Sequence, residues 1–233
     1  MSTLYGIGIG PGDPDLITLR ALAVLRKTKV IAWPAPAGGE SLARRIAARH
    51  LPGGCEEYAI RIPMDAARFP AEEIYARAAR DLGVHLAAGR DVAVLCEGDP
   101  FFYGSFVYLF ARMREAHRVE VVPGVSSLTA CAAGLAAPLA AATDVLSVVP
   151  ATLPEPNLRA ALGNCDAAAV IKIGRHLAKV RKALAATGLL RHARYIERAT
   201  LPNQRIVPLS EVGDGDAPYF SMILIHRRGC AWL

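Results

Sequence analysis

The chain alternates short apolar runs with segments of helical periodicity, and this alternation restricts its fold more than any other feature of the sequence. In the first half, strands are predicted at Leu4–Ile9, Val30–Trp33, Glu57–Ile60, Val92–Cys96 and Val119–Val122. Helices are predicted between them near Leu16–Lys27, Ser41–Arg49, Ala71–Ala88 and Ser105–Arg114. Because parallel strands need crossover connections of this kind, the pattern predicts a mostly parallel sheet.

The pattern changes in the second half, where the last strands follow one another too closely for crossover helices. After a small-residue helix near Ser127–Leu135, strands are predicted at Val145–Val149, Ala168–Ile173, Ala193–Glu197, Arg205–Pro208 and Tyr219–His226, with helices at Asn157–Leu162 and Leu177–Ala186. The close spacing predicts antiparallel pairing and a mixed sheet. We therefore expect an α/β protein of two α/β domains, residues 1–122 and 123–233, with the ligand site in the cleft between them.

Charge and cysteine content restrict the partners. The net charge of +6 indicates an anionic partner, but basic residues cluster no more densely than pairs such as Arg44-Arg45, which disfavours nucleic acid. The five cysteines are odd in number and include no C-x-x-C pair, so we expect reduced, buried thiols and no metal site. They are Cys55, Cys96, Cys131, Cys165 and Cys230.

One uncharged segment, Val121–Thr143, is long enough to span a bilayer. Its small residues and the breaks at Pro123 and Pro138 favour a buried helix instead, so we expect no membrane partner. The N-terminus has no basic region followed by a long apolar segment, which predicts a cytoplasmic protein.

Three glycine-containing turns follow predicted strands and are the main candidates for a ligand site. The first, Gly6–Pro14, departs from the dinucleotide fingerprint and is not followed by G-K-[ST]. Asp13 as a helix N-cap and Pro14 at the first helical position would explain it equally well as a helix start.

The second turn is Cys96–Gly104 and the third is Pro123–Ser127. The first and second turns both contain the sequence Gly-Asp-Pro, at residues 12–14 and 98–100. Because parallel strands end at one edge of their sheet, these two turns predict one shared crevice. We expect the second turn to be exposed, so Asp99→Ala and Gly98→Val should impair ligand binding and leave the fold intact. In the third turn, Ser126 or Ser127 is equally explained as an N-cap.

The aromatic run of the second turn has two interpretations. Phe101, Phe102 and Tyr103 could stack on a ligand ring, but we expect at least one of them to pack in the core.

Together the three turns resemble the tetrapyrrole methylase family, which carries a G-x-G-P-G-D-x-x-L-x-T-x-x-A opening, a G-D-P-x-x-Y-G loop and a P-G-x-S-S turn. Here these motifs are Gly8–Ala21, Gly98–Gly104 and Pro123–Ser127, and further strings follow in family order to Met222. The strings at 96–106, 197–200 and 219–222 resemble members that methylate precorrin-2 at carbon 20 in cobalamin biosynthesis.

The resemblance implies transfer of a methyl group from S-adenosyl-L-methionine to precorrin-2, giving precorrin-3A and S-adenosyl-L-homocysteine. It also implies a homodimer and a polycarboxylated tetrapyrrole as substrate. Three alternatives stay open. The first is the same methylation on the cobalt-containing substrate, cobalt-factor II, of the anaerobic route, and the second is an RNA methyltransferase of the same fold. The third is a non-enzymatic module that binds the donor or a tetrapyrrole without turnover.

Site residues follow from the resemblance, position by position. Donor contacts, mostly through backbone groups, are implied at Pro11, Glu97, Gly98, Asp99, Phe102, Ser126, Ser127, Ile173 and Ala199. Substrate carboxylates are assigned, by adjacency to the motifs, to Lys172, Arg175, His176 and Arg198. The basic residues of the next helix, Lys179, Arg181 and Lys182, are expected on a solvated face.

No catalytic residue is assigned. Family members acting on uroporphyrinogen carry an Asp just after the second strand, where this chain has Trp33 and Pro34.

Overall fold

The computed structural model describes residues 2–63, 71–215 and 217–230. The chain divides into two compact units between Ser126 and Ser127, and each unit is described by itself. The domain boundary expected near residue 122 stays a prediction, because compactness does not show that either unit folds alone.

The first unit is an open α/β sheet. Its described strands are β1 (Thr3–Gly8), β2 (Val30–Pro36), β3 (Glu56–Ile62), β4 (Val92–Cys96) and β5 (Arg118–Val122), and its helices are α1 (Leu19–Lys27), α2 (Leu42–Ala47), α3 (Ala71–Ala87) and α4 (Phe106–Met113). The strands pair in parallel in the order β3-β2-β4-β1-β5. This confirms the predicted parallel sheet.

Helices cover both faces of this sheet, which explains why β1 and β4 are buried along their whole length. Helices α1 and α2 pack on one face through Leu25 and Ile46, and helices α3 and α4 pack on the other through Leu82 and Leu109.

The core aromatic of α4 is Phe106, which is 1% exposed. It packs against Gly6, where a Cβ would lie 2.3 Å from the ring. The expectation that at least one of Phe101, Phe102 and Tyr103 lies in the core is wrong. Phe101 and Tyr103 are each 49% exposed and Phe102 is half-buried, because the three residues lie in the turn that precedes α4.

The predicted start of the first helix differs from the observed one for an identifiable reason. The helix expected from Leu16 begins at Leu19, because Thr18 caps it by accepting the Ala21 amide at 3.2 Å. Asp13 instead caps a separate 3-10 turn, Pro14–Leu16, by accepting the Asp15 amide at 2.9 Å.

Strand β2 continues past Trp33 and Pro34 to Pro36. Its described pairing with β4 covers Val30–Ala32, so beyond Ala32 the prolines interrupt no described hydrogen bond on that side. The residues that follow this strand are Ala37-Gly38-Gly39-Glu40, so the first carboxylate after β2 is that of Glu40 and no Asp follows directly.

The second unit is a mixed sheet. Its described strands are β6 (Leu146–Pro150), β7 (Ala167–Ile171), β8 (Arg194–Glu197), β9 (Arg205–Val207) and β10 (Ser221–His226), and its helices are α5 (Ser127–Gly134), α6 (Glu155–Gly163) and α7 (Leu177–Ala186). The order is β6-β7-β10-β8-β9, in which β6 and β7 are parallel and the other pairs are antiparallel. The predicted mixed sheet is confirmed.

Helices α6 and α7 pack on one face of this sheet, and α5 packs on the other through Cys131 and Ile196. Strand β7 ends at Ile171, two residues before the predicted end at Ile173. The reason is Lys172, whose φ of +56° is incompatible with an extended strand.

A buried polar group joins the ends of β10 to the segment before β6. The Asp144 carboxylate is 5% exposed and accepts hydrogen bonds from His226 Nε2 at 3.0 Å, the Ala141 amide at 2.8 Å and Arg228 at 2.9 Å. These contacts, the one from His226 first, lower the pKa of Asp144 to about 2.

Three of the five cysteines, Cys96, Cys131 and Cys165, are buried free thiols. The expectation of burial is wrong for Cys55 and Cys230, which are half-exposed because they lie in turns next to β3 and β10.

Among the described residues, every helix is too short or too polar to pass through a lipid bilayer. The uncharged segment Val121–Thr143 contains the end of β5 and the eight-residue helix α5.

Candidate functional site

The first two glycine turns lie against each other at the carboxyl edge of the first sheet. Strands β1 and β4 are parallel neighbours, so they end side by side. Beyond them the Gly98 amide donates to Gly10 O at 2.8 Å, and the Gly10 amide donates to Gly98 O at 3.4 Å. Both residues have positive φ, +78° at Gly10 and +65° at Gly98, which favours glycine at each position. The expected adjacency of the turns is confirmed.

The third turn packs directly onto the other two. A Cβ on Gly124 would lie 2.1 Å from Gly98 O and 2.7 Å from Gly8 Cα, and a Cβ on Gly8 would lie 2.5 Å from Gly124 N. These contacts are between backbone atoms, which have no rotamer to adjust. Glycine at 8 and 124 is therefore required for the close approach of the three turns.

The acidic side chains of the second turn hold the turns together. Asp99 Oδ1 accepts the Phe101 amide at 2.9 Å, and its Oδ2 accepts the Gly124 amide at 3.0 Å. Glu97 Oε1 accepts the Ala43 amide, at the start of α2, at 3.2 Å. Burial raises the pKa of the Glu97 carboxyl. The side chains are thus engaged, and any ligand at this rim would meet mainly main-chain groups.

The premise that the second turn is exposed is wrong. Gly98 is buried and Asp99 is half-buried, because the first and third turns cover them. Asp99→Ala and Gly98→Val are therefore expected to disturb the packing of the turns as well as any ligand contact.

The other candidate donor residues of the first unit lie along the same turns. Pro11, Phe102 and Ser126 are half-buried, and the Phe102 ring meets the Tyr103 ring edge-on at 5.2 Å. Helix α5 begins at the exposed Ser127, so Ser126 occupies the N-cap position.

The two remaining donor candidates, Ile173 and Ala199 of the second unit, have buried side chains. Ile173 is 0% exposed and belongs to the core under α6 and α7, and Ala199 is 8% exposed and packs in the core beside α5. A ligand would contact these residues through their main chain.

The four substrate candidates lie at one edge of the second sheet. Lys172, Arg175 and His176 follow β7 and Arg198 follows β8, and both strands run antiparallel to β10, so they end on the same side. Lys172 and Arg198 have positive φ, +56° and +52°. Burial, followed by the charges of Lys179 and Arg175, lowers the pKa of His176.

The expectation of a solvated basic face on α7 is wrong for two of its three residues. Lys179 Nζ donates to Leu153 O at 2.6 Å, and Arg181 pairs with Asp214 at 2.6 Å. These side chains tie the helix to neighbouring loops, whereas Lys182 is exposed.

Sequence reasoning missed a charged cluster around Glu197, which is 3% exposed. Its carboxylate accepts hydrogen bonds from Tyr195, Arg198 and Arg205. Burial opposes ionisation, but the hydrogen bonds from Arg205 and Tyr195 outweigh it and lower the pKa of Glu197. Arg205 lies opposite Glu197 in the β8–β9 register, and only knowledge of that pairing could have found the cluster.

A concavity of 240 Å³ lies between β3 and α3, lined in part by Tyr58, Arg61, Arg77 and Asp81, with no residue of the glycine turns among its lining. Within residues 2–63, 71–215 and 217–230, His, Cys, Asp and Glu form no group of three that could hold a metal ion.

The fold defines the class of the protein. The chain superposes on a cobalt precorrin-4 methyltransferase from cobalamin biosynthesis with a TM-score of 0.75 and 26% identity, covering 96% of this chain and 94% of that one. It also superposes on a uroporphyrin-III C-methyltransferase from Thermus thermophilus, solved with S-adenosyl homocysteine, with a TM-score of 0.71 and 27% identity, covering 97% and 92%. The fold is that of these methyltransferases.

The family follows from the sequence. Residues 3–213 match the family model of Tetrapyrrole (Corrin/Porphyrin) Methylases, and the chain belongs to this family.

Three relatives have informative names. A precorrin-2 C(20)-methyltransferase of Sinorhizobium sp is 40% identical over 95% of this chain and 94% of its own. A cobalt-precorrin-2 C(20)-methyltransferase of Salmonella typhimurium is 34% identical over 97% and 96%. The cobalamin biosynthesis protein CobIJ of Mycobacterium tuberculosis is 42% identical over 96% of this chain, which spans 46% of that protein's length.

Proposed function

We propose that the chain transfers the methyl group of S-adenosyl-L-methionine to carbon 20 of precorrin-2, giving precorrin-3A and S-adenosyl-L-homocysteine. The observation that carries this proposal is the 40% identity, over nearly the full length of both chains, to the Sinorhizobium protein named for this reaction. The packed glycine turns of the first unit support it, because such turns present main-chain groups at the carboxyl edge of an α/β sheet.

The proposed donor contacts are Pro11, Glu97, Gly98, Asp99, Phe102, Ser126, Ser127, Ile173 and Ala199. Their surroundings fit a ligand that is polar at one end and aromatic at the other. Backbone N–H groups at glycine-rich turns favour a carboxylate such as that of the methionyl group. The Phe102 ring, half-buried beside these turns, offers an apolar contact for a nucleoside.

The donor's sulfonium supplies an already activated methyl group, and the ring carbon of a tetrapyrrole is itself nucleophilic. The chain's task is then to align the methyl group with the ring carbon and to exclude water. We assign no general base, and the carboxylates of Glu97 and Asp99 are engaged in holding the turns.

The tetrapyrrole carries several carboxylates, for which Lys172, Arg175, His176 and Arg198 are the proposed partners. Arginine suits this role because its planar guanidinium can donate two parallel hydrogen bonds to one carboxylate. The lowered pKa of His176 favours a neutral imidazole, which would contact a carboxyl group by a hydrogen bond.

The second candidate is the same methylation on the cobalt-containing substrate. The 34% identity to the Salmonella protein named for cobalt-precorrin-2 favours this candidate. That identity is lower than the 40% identity to the Sinorhizobium protein named for precorrin-2. From the family resemblance we further propose a homodimer located in the cytoplasm.

The experiment supplies purified protein, under anaerobic conditions, with labelled S-adenosyl-L-methionine and either precorrin-2 or its cobalt complex. We expect one methyl group to be added at carbon 20 of precorrin-2, detected by mass spectrometry and by NMR of the labelled carbon. Turnover of the cobalt complex alone would establish the second candidate. Methylation of RNA in place of both tetrapyrroles would overturn the proposal.

A further inference from the structure

Two arginines share one buried carboxylate at the edge of the second sheet. Glu197 Oε1 accepts hydrogen bonds from Arg198 Nη1 and from Arg205 Nε, both at 2.8 Å. Its Oε2 accepts the Tyr195 hydroxyl at 2.6 Å. The Glu197 side chain is 3% exposed, whereas those of Arg198 and Arg205 are 35% and 45% exposed. The carboxylate is thus enclosed and the two guanidinium groups reach solvent.

The cluster carries more positive charge than a structural ion pair requires. Burial and the hydrogen bond to Glu197 raise the pKa of Tyr195, so its hydroxyl stays neutral and the cluster has a net charge of +1. Arg205 lies directly opposite Glu197 across the β8–β9 pair and neutralises it without help. Arg198 is therefore in excess as a partner for Glu197.

Arg198 is also held in a disfavoured backbone conformation. Its φ is +52°, which costs energy for any residue with a Cβ, and its amide donates to Phe220 O at 2.7 Å. Backbone strain of this kind is found where the position of a side chain matters for function.

A second basic residue with positive φ lies at the same edge. Ser221 pairs with Glu197 on β8, and continuing the β7–β10 register by two residues places Lys172 level with Ser221 on the other side. Lys172 has φ +56°. Basic side chains from two loops therefore flank the start of β10.

From these observations we infer that Arg198 and Arg205, held in place by Glu197, form a receptor for one carboxylate of the tetrapyrrole substrate. Arg205 is a further specificity-determining residue, and Glu197 and Tyr195 are positioning residues that act through the arginines. A fixed pair of guanidinium groups matches a carboxylate better than a single mobile cation does. This inference rests on the proposed function.

The first test replaces Arg205 by Gln and by Lys, with Arg159→Gln as the control, since Arg159 pairs with Glu155 on the outer side of α6. We expect Arg205→Gln to raise KM for precorrin-2 by about 10- to 100-fold, the loss of one charge-assisted hydrogen bond. In Arg205→Gln, kcat and the KM for S-adenosyl-L-methionine should stay within about twofold of the wild type. Arg205→Lys should recover part of the loss in KM for precorrin-2, and the Arg159→Gln control should match the wild type.

The second test separates positioning from net charge. Glu197→Gln raises the net charge of the cluster, so a receptor that acted by charge alone would bind the tetrapyrrole more tightly. If Glu197 positions the arginines, the same variant instead raises KM for precorrin-2 and leaves KM for the donor unchanged. A lower KM for precorrin-2 in Glu197→Gln would overturn the positioning role.

Binding of uroporphyrin I, an octacarboxylic tetrapyrrole, gives a readout that does not depend on turnover. Fluorescence quenching should show weaker binding to Arg205→Gln and Arg205→Lys than to the wild type. If the wild type fails to methylate precorrin-2 but this difference is found, the receptor stands and the proposed function fails. Equal binding by all three proteins, or a rise confined to KM for the donor, refutes the receptor.

Discussion

Gly124→Ala tests the packing of the three glycine turns. The added Cβ would lie 2.1 Å from Gly98 O, whereas carbon–oxygen contacts are normally about 3.3 Å or longer. The turns must therefore separate by about 1 Å, since both atoms belong to the backbone. Overpacking of this kind costs about 1–3 kcal/mol. The separation also weakens the hydrogen bond from the Gly124 amide to Asp99, a charge-assisted bond of about 1.5–3 kcal/mol.

We therefore expect Gly124→Ala to lower the free energy of unfolding by about 2–5 kcal/mol in urea titrations. Because a misplacement of about 1 Å is large for a binding site, we expect the Kd for S-adenosyl-L-homocysteine, measured by calorimetry, to rise roughly 10- to 100-fold.

The matched control is Gly53→Ala, where a Cβ meets nothing within 4 Å. This variant should stay within about 0.5 kcal/mol of the wild type and bind the ligand normally. Equal stability and equal affinity of the two variants would show that the close approach of the turns at Gly124 does not matter.

Three further variants test separate parts of the structure. Gly6→Ala places a Cβ 2.3 Å from the Phe106 ring and should lower the free energy of unfolding in urea by about 1–3 kcal/mol. An unfolding curve equal to that of the wild type would contradict this packing. Asp99→Asn should lower the free energy of unfolding by about 1–3 kcal/mol and weaken S-adenosyl-L-homocysteine binding, because its amide nitrogen would face either the Gly124 or the Phe101 amide. Unchanged calorimetric affinity would argue against the role of these turns in binding. The pKa of Asp144 is about 2 in the folded protein and about 3.9 unfolded, so its contribution is complete above about pH 4 and is lost as the pH falls towards 2. Asp144→Asn should therefore be less stable at neutral pH and lose less stability over that interval, and parallel acid unfolding curves for the two proteins would contradict this.

The sheet types could be predicted from the sequence because periodicity is a local property. Buried parallel strands are apolar along their length, and strand spacing decides whether a crossover helix fits between them. The glycine turns were predictable for the same reason, since positive φ and close approach demand glycine wherever the neighbours lie.

Features that depend on pairing could not be predicted. The extension of β2 through Pro34 depends on where its pairing with β4 stops, and the cluster around Glu197 depends on the β8–β9 register. The choice of Thr18 over Asp13 as the cap of α1 depends on a 3-10 turn that interrupts the helical pattern. The first two features depend on contacts between residues far apart in the chain, and the third depends on competition between neighbouring caps. Residue spacing in a single sequence does not reveal either.

A crystal structure of the protein with S-adenosyl-L-homocysteine is the sharpest test of the proposed donor site. We expect ligand density against the main chain of Pro11, Gly98 and Asp99. Ligand density elsewhere, with these turns contacting only one another, would show that they are not the donor site.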